Sequence, residues 1–363
     1  MADTLIEKGN PISGDLISEI RACREVDQPM LVFGAPGVGK SDQIRAAADE
    51  DDLVIDLRLN SLESIDMRGL PIIRKDENRN PVEVQWVRPE FLPGSSGIVA
   101  NGRVYKKGIV FLDELNTAQP SVQNPALQLV LDRRIGKHEL PRSWYICAAA
   151  NRAEDRAHTY PLSAALLDRF AIYDYSPNHQ HWTAWAMQNG VHEDVIGYIS
   201  FSPSALLAPR KDEYSASANP RSWTVVSRRL KAGQKSPHQI RACVGSQASE
   251  FCAYLEVCAS LPNIPRLVAG KEDFVEDRRK ISVAYAVANA VASHLIQHDE
   301  PAKVIENCVK VVAGISPEPA SLFFRRVMLS GGDKLKTMLF HSKAVTAWIK
   351  DNKELLHGAI TVT

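Results

Sequence analysis

Residues 34–41 read Gly34-Ala35-Pro36-Gly37-Val38-Gly39-Lys40-Ser41. Gly34 and Gly39 have four residues between them and are followed by Lys and Ser, the spacing of a phosphate-binding P-loop. The run before the loop, Pro29-Met30-Leu31-Val32-Phe33, is apolar and of strand length. The residues after it, Asp42 to Ala48, are good helix formers. A strand, a glycine-rich turn and a helix in that order are the setting the motif requires. Glycines permit backbone angles closed to other residues and let the main chain approach an anion closely. The loop amides and the start of the helix then form a concave phosphate site. Lys40 would reach the terminal phosphates, and the Ser41 hydroxyl would ligate Mg2+. The expected ligands are therefore a nucleoside triphosphate, taken as ATP although the motif does not distinguish it from GTP, and Mg2+.

A second signal is Gly108-Ile109-Val110-Phe111-Leu112-Asp113-Glu114. Four apolar residues read as a buried strand, and two carboxylates stand where it emerges. After a P-loop, the first carboxylate suits the Mg2+ shell, so Ser41 and Asp113 are the expected metal ligands. The second, Glu114, can polarise an attacking water. A third strand, Tyr145 to Ala150, ends in Asn151, placed to orient that water or touch the terminal phosphate.

Around these signals the chain alternates strands and helices. Residues 13–25 predict a helix with Asp15 near its N-terminus. Leu53 to Leu57 and Phe170 to Tyr175 predict further strands, and Ser121 to Asp132 a helix interrupted by Pro125. Asp66 to Pro71 reads as a loop. Two hairpins are expected, one over 72–87 and a smaller one over 133–144. Residues 183–262 carry helical patterns separated by Pro203, Pro209 and Pro237, followed by a charged linker from Lys271 to Lys280 and an Ala-rich helix from Ile281 to Ile296. No internal repeat or low-complexity tract is apparent.

At 363 residues the chain can hold about two cored domains. Lys plus Arg balance Asp plus Glu at 43 each, so no global field draws it to nucleic acid or to an acidic membrane. Arg221 to Arg241 holds six Lys or Arg and no acidic residue, which reads as a solvated helical face. The start of the chain has no signal-peptide pattern, and Ile281 to Ile296 is too interrupted by polar residues for a membrane span. The six cysteines form no CxxC pair and read as reduced thiols of a cytoplasmic protein. His179 and His181 read as part of a surface loop rather than a metal site.

The order of P-loop, Asp113-Glu114, Asn151, Leu167-Asp168-Arg169-Phe170 and Pro220-Arg221 resembles the AAA+ ATPases. Asp66 to Pro71, Phe111 to Asn116, His158-Thr159-Tyr160-Pro161-Leu162 and Asn219 to Trp223 look like the MoxR-like, dynein-related branch. The two expected hairpins fall where that branch carries insertions. The resemblance spans residues 13 to about 265. It implies a three-layer α/β/α nucleotide-binding domain with a parallel sheet (1–182), a helical lid (183–265) and a C-terminal helical extension (266–363).

The resemblance also implies roles. Asn151 would be the first sensor, Arg169 the finger reaching a neighbour's nucleotide, and Arg221 the second sensor on the lid. An arginine supplied in trans suits the charge that builds on a transferring phosphate. Relatives often carry Arg after the Asp-Glu-x-Asn run where this chain has Thr117, which leaves Arg133 and Arg134 as alternatives in trans. The implied function is a homo-oligomeric ring, a hexamer, that hydrolyses ATP to remodel or mature a protein client. A von Willebrand-type partner on a separate chain is expected. The rival readings are a nucleic-acid motor or helicase loader, and a nucleotide-gated scaffold; Glu114 argues against the second.

Overall fold

The structure, a computed structural model, describes residues 10–13, 15–76, 81–152, 159–212, 214–277, 279–352 and 355. His158 and the tip of the first hairpin, residues 77–80, lie outside these. The chain divides into two compact units, Met1–Ser176 and Pro177–Thr363.

The first unit runs β1 (Asn10–Ser13), α1 (Leu16–Glu25), β2 (Met30–Phe33), α2 (Lys40–Ala46), β3 (Leu53–Arg58) and α3 (Ser64–Arg68). It continues with β4 (Pro71–Lys75), β5 (Pro81–Trp86), β6 (Ile98–Ala100), β7 (Arg103–Tyr105) and β8 (Gly108–Asp113). Next come α4 (Pro120–Asp132), β9 (Arg134–Ile135), β10 (His138–Glu139), β11 (Trp144–Ala150), α5 (Ala164–Leu167) and β12 (Ala171–Ser176). Six strands form one parallel sheet in the order β1-β12-β2-β11-β8-β3. A parallel sheet must be covered on both faces, and β2, β8 and β11 are correspondingly buried along nearly their whole length. Leu31, Val110, Leu112, Ile146, Ala148 and Ala150 point to one face, where Val122, Ala126 and Leu129 of α4 cover them. The alternate residues are buried on the other face. There Cys23 of α1 lies 3.8 Å from the Tyr173 hydroxyl of β12. The three-layer α/β/α arrangement follows.

Both expected hairpins are present, as β4–β5 and β9–β10. A third, β6–β7, was not anticipated, although its Asn101-Gly102 turn is a strong hairpin signal. The edge strand β1 was also missed; Asn-Pro-Ile-Ser is too short for its periodicity to be read. Asp66 to Pro71, expected as a loop, begins inside α3. Glu63 and Asp66 form a capping box there, which closes a single helical turn.

The second unit is helical: α6 (His179–Gln188), α7 (Glu193–Phe201), α8 (Pro220–Lys231), α9 (Pro237–Val244), α10 (Ala248–Ala259) and α11 (Ile264–Val268), then α12 (Ile281–Gln297), α13 (Pro301–Ala313), α14 (Pro317–Ser330), α15 (Gly332–His341) and α16 (Lys343–Asp351). The helices expected as lid and those expected as a separate extension share this unit. The Ala-rich α12 joins them, with Ala286 in the core of α6 to α10 and Val287, Val291 and Leu295 in the core of α11 to α16. Gly197 lets α7 come close to this packing, since a Cβ there would fall 2.4 Å from the Tyr254 hydroxyl. His179 and His181 open α6 rather than sit in a loop, because Asn178 caps the helix at the Gln180 amide, 2.7 Å away. All six cysteines are free thiols, and among the described residues no helix is long and apolar enough to cross a membrane.

Candidate nucleotide site

The P-loop leaves the sheet between two neighbours. The Gly34 amide donates to Ala150 O of β11 at 3.3 Å, and a Cβ on Gly34 would sit 2.7 Å from Tyr175 O of β12. Only glycine fits so close to a fixed carbonyl. Gly37 (φ 80°) and Gly39 (φ 99°) then take left-handed angles that turn the chain into α2. Gly39 O accepts from Gln43 N at 3.0 Å and so starts the helix.

Lys40 is the first residue of α2 and only 8% exposed. Its ammonium donates to the carbonyls of Gly34 and Ala35 and lies 3.3 Å from Asn151 Oδ1. Ser41 Oγ donates to Asp113 Oδ2 at 3.0 Å. The sheet makes these contacts possible. β11 lies between the P-loop strand β2 and the Asp-Glu strand β8, and all three run the same way. Their C-terminal ends therefore open on one crevice, the usual ligand position in such sheets.

Ser41 and Asp113 present oxygen donors side by side, the chemistry of a hard cation. Among the described residues no group of three or more His, Cys, Asp and Glu could hold a metal by itself. A magnesium ion that shares its ligands with substrate phosphates needs no such group, so the residues present fit Mg2+.

Glu114 follows Asp113 with φ 58°, a left-handed angle at a non-glycine residue. Strain of this kind persists where its surroundings enforce it. Here Asp113 Oδ1 accepts from Glu114 N at 2.9 Å, Glu114 O accepts from the Thr117 hydroxyl at 3.0 Å, and the Leu115 amide donates to Ala149 O at 3.0 Å. Asn116, 5% exposed, then grips Asn151 from the side. The structure thus brings together the P-loop residues, Asp113, Glu114 and Asn151.

The arginines behave differently. Arg169 is exposed, and among the described residues its side chain has no hydrogen bond or ion pair, Asp168 included. Arg221 is exposed on the first turn of α8, in the second unit, beside the capping box of Asn219 and Ser222. Arg133 is engaged within its own chain: it bonds Asp27 Oδ1 at 3.1 Å, Pro141 O at 2.9 Å and Trp144 O at 2.5 Å. Trp144 begins β11 and Asn151 follows its end, so these contacts sit about 20 Å from the crevice. Arg134 stays half exposed and pairs with Asp132 at 3.5 Å.

Two contributors escaped the sequence reading. Arg152 donates to Asp174 Oδ1 at 2.6 Å and to Tyr175 O at 3.1 Å, which ties the end of β11 to β12 behind the P-loop. Asn116 was visible only as the last letter of Asp-Glu-Leu-Asn. Tyr175, whose carbonyl fronts Gly34, has its phenol pushed up to about 12 by burial, so it stays neutral. A separate cleft of about 590 Å³ lies between Trp86 of β5, Leu127 and Leu131 of α4, and the Lys137-His138 turn; its lining includes Arg68 but no residue of the P-loop, the Asp113-Glu114 pair or Asn151.

No protein-family model and no curated protein matches the chain. Solved structures do. A candidate ATPase from Cytophaga hutchinsonii is 15% identical with a TM-score of 0.32, covering 87% of this chain and 74% of that one. A mutant of RuvB from Thermotoga maritima is 13% identical with a TM-score of 0.36, covering 78% and 74%. NtrX from Brucella abortus in complex with ADP is 12% identical with a TM-score of 0.31, covering 93% and 67%. Similarity of this size transfers no activity.

Proposed function

We propose that this chain is an AAA+ ATPase of the MoxR-like branch, which binds ATP with Mg2+ at the P-loop, hydrolyses it, and works as a cytoplasmic ring that remodels or matures a protein partner. One observation carries the enzymatic part: Ser41 bonds Asp113 while Lys40 meets Asn151, so four motif residues from three strand ends face one crevice. The loop amides and Lys40 would hold the phosphates, and Ser41 and Asp113 would hold Mg2+. When bound, the ion neutralises phosphate charge. Glu114 would accept a proton from the attacking water as the new P–O bond forms and ADP leaves. Asn151 would orient that water. The exposed Arg169 suits a charge offered to a neighbouring subunit's nucleotide, and Arg221 suits a sensor on the helical unit.

The client-directed part is supported by the β4–β5 hairpin. Ile73, Val82, Val84 and Trp86 are all exposed there, and an apolar surface of this kind marks contact with other proteins. A von Willebrand-type partner on another chain belongs to the same reading.

The experiment is Glu114→Gln in the full chain. Hydrolysis should fall to background while nucleotide binding persists. Wild-type turnover in the variant would overturn the assignment of Glu114. The same variant, held in ATP, is the bait for the client, and sedimentation with and without ATP measures the ring.

A further inference from the structure

We propose that Asn116 is a positioning residue that sets the direction of the Asn151 side chain and couples it to the turn carrying Glu114; this rests on the ATPase reading above. The geometry is specific. β8 leaves the sheet at Glu114, and the Leu115 amide makes one more ladder bond, to Ala149 O. The next rung is made by a side chain. Asn116 Oδ1 accepts from the Asn151 amide at 3.0 Å, and Asn116 Nδ2 donates to Asn151 O at 2.7 Å. Both backbone groups of Asn151 are thus held by one planar amide. Fixing that backbone fixes the direction of its Cβ, and with it the Asn151 amide beside Lys40.

Asn116 is itself held. Its carbonyl accepts from the Tyr160 amide at 2.6 Å, and the next residue, Thr117, donates its hydroxyl to Glu114 O at 3.0 Å. The base and the water-orienting residue therefore share one short, buried connection. The residue type is demanding. A carboxamide places a donor and an acceptor side by side in one plane. Aspartate would set an oxygen against Asn151 O, and leucine would satisfy neither group.

The test uses Asn116→Ala and Asn116→Asp, each alone and combined with Asn151→Ala, in the full chain. The readouts are kcat, KM, affinity for a non-hydrolysable ATP analogue, and Tm. In the wild-type background kcat should fall about 10- to 100-fold, the cost of misplacing a reacting group's partner by roughly 1 Å. KM and analogue affinity should stay within about threefold, the pattern of an interaction made in the transition state. In the Asn151→Ala background the Asn116 substitutions should lower kcat no further, because the group they position is gone. Additive losses, unchanged kcat, or a joint collapse of affinity and Tm would overturn the inference. Should Asn116→Ala fail to fold, Asn116→Asp, which keeps the volume and the acceptor, decides. A wild-type protein with no turnover overturns the ATPase reading and this inference together; an active wild type with additive losses overturns only the latter.

Discussion

Ser41 and Asp113 stand 72 residues apart in the chain, yet the Ser41 hydroxyl donates to Asp113 Oδ2 at 3.0 Å. The pair is two strands wide, since β11 separates β2 from β8. Ser41→Ala removes one oxygen donor without disturbing the sheet. Nucleotide affinity in the presence of magnesium should drop about 10- to 100-fold, as for other losses at metal sites. Titrating nucleotide with and without magnesium checks this. A variant as magnesium-dependent as wild type would contradict it.

The two ends of the P-loop respond differently to a methyl group. In Gly34→Ala the new Cβ meets Tyr175 O at 2.7 Å, so the loop must shift, at roughly 1–3 kcal/mol. In Gly39→Ala nothing lies within 4 Å of the Cβ, and the cost is torsional, from φ 99°, at about 1–2 kcal/mol. Thermal unfolding should show both, and nucleotide binding should be weaker in both. A fully stable Gly34→Ala protein would mean that β12 yields at Tyr175.

In the second unit, burial works to raise the Glu193 carboxyl, but the Ser293 hydroxyl and the Arg326 guanidinium overcome it and hold the group below its ordinary value of 4.5. A depressed carboxyl stabilises the fold above its unfolded value and loses that effect as pH falls through the folded value. Glu193→Gln should therefore be less stable than wild type at pH 7. The difference should shrink as pH falls below the ordinary value of 4.5 and on through the lower folded value, where the wild-type carboxyl becomes as neutral as glutamine. Urea unfolding followed by helical signal at several pH values measures the gap, and a gap that widens toward acid would refute the assignment.

Ile73 and Val84 face each other across β4–β5 and are 57% and 56% exposed. Serine at both positions should change stability by no more than about 0.5 kcal/mol each, as at other surface sites. Aggregation at high concentration should fall, because an exposed apolar patch is removed. A large loss of Tm would show that this face packs against something within the fold.

Asp52 has a fully buried side chain, bonded to Arg24 through two nitrogens, one at 2.9 Å. Asp52→Ala leaves that guanidinium with Asp49 alone, 3.6 Å away. Since Arg24 keeps 21% exposure, the cost should be about 2–3 kcal/mol, at or below the low end of the range for buried pairs. Denaturant unfolding of the variant measures it.

The amino-acid sequence by itself determined the local chemistry. Glycine spacing marked where the chain turns left-handed, and apolar runs marked the buried strands. The residues that follow those runs, Lys40, Asp113, Glu114 and Asn151, stood out as the candidate site. Such features act within a turn or a strand, so a short window reveals them. Tertiary structure alone decided the order β12-β2-β11-β8-β3, the share of α12 in two helical cores, the bonds of Arg133 to Asp27, Pro141 and Trp144, and the grip of Asn116 on Asn151. Each of these depends on which distant surfaces bury one another, and a parallel sheet joins its strands only through long crossovers that carry no trace of strand order in local composition.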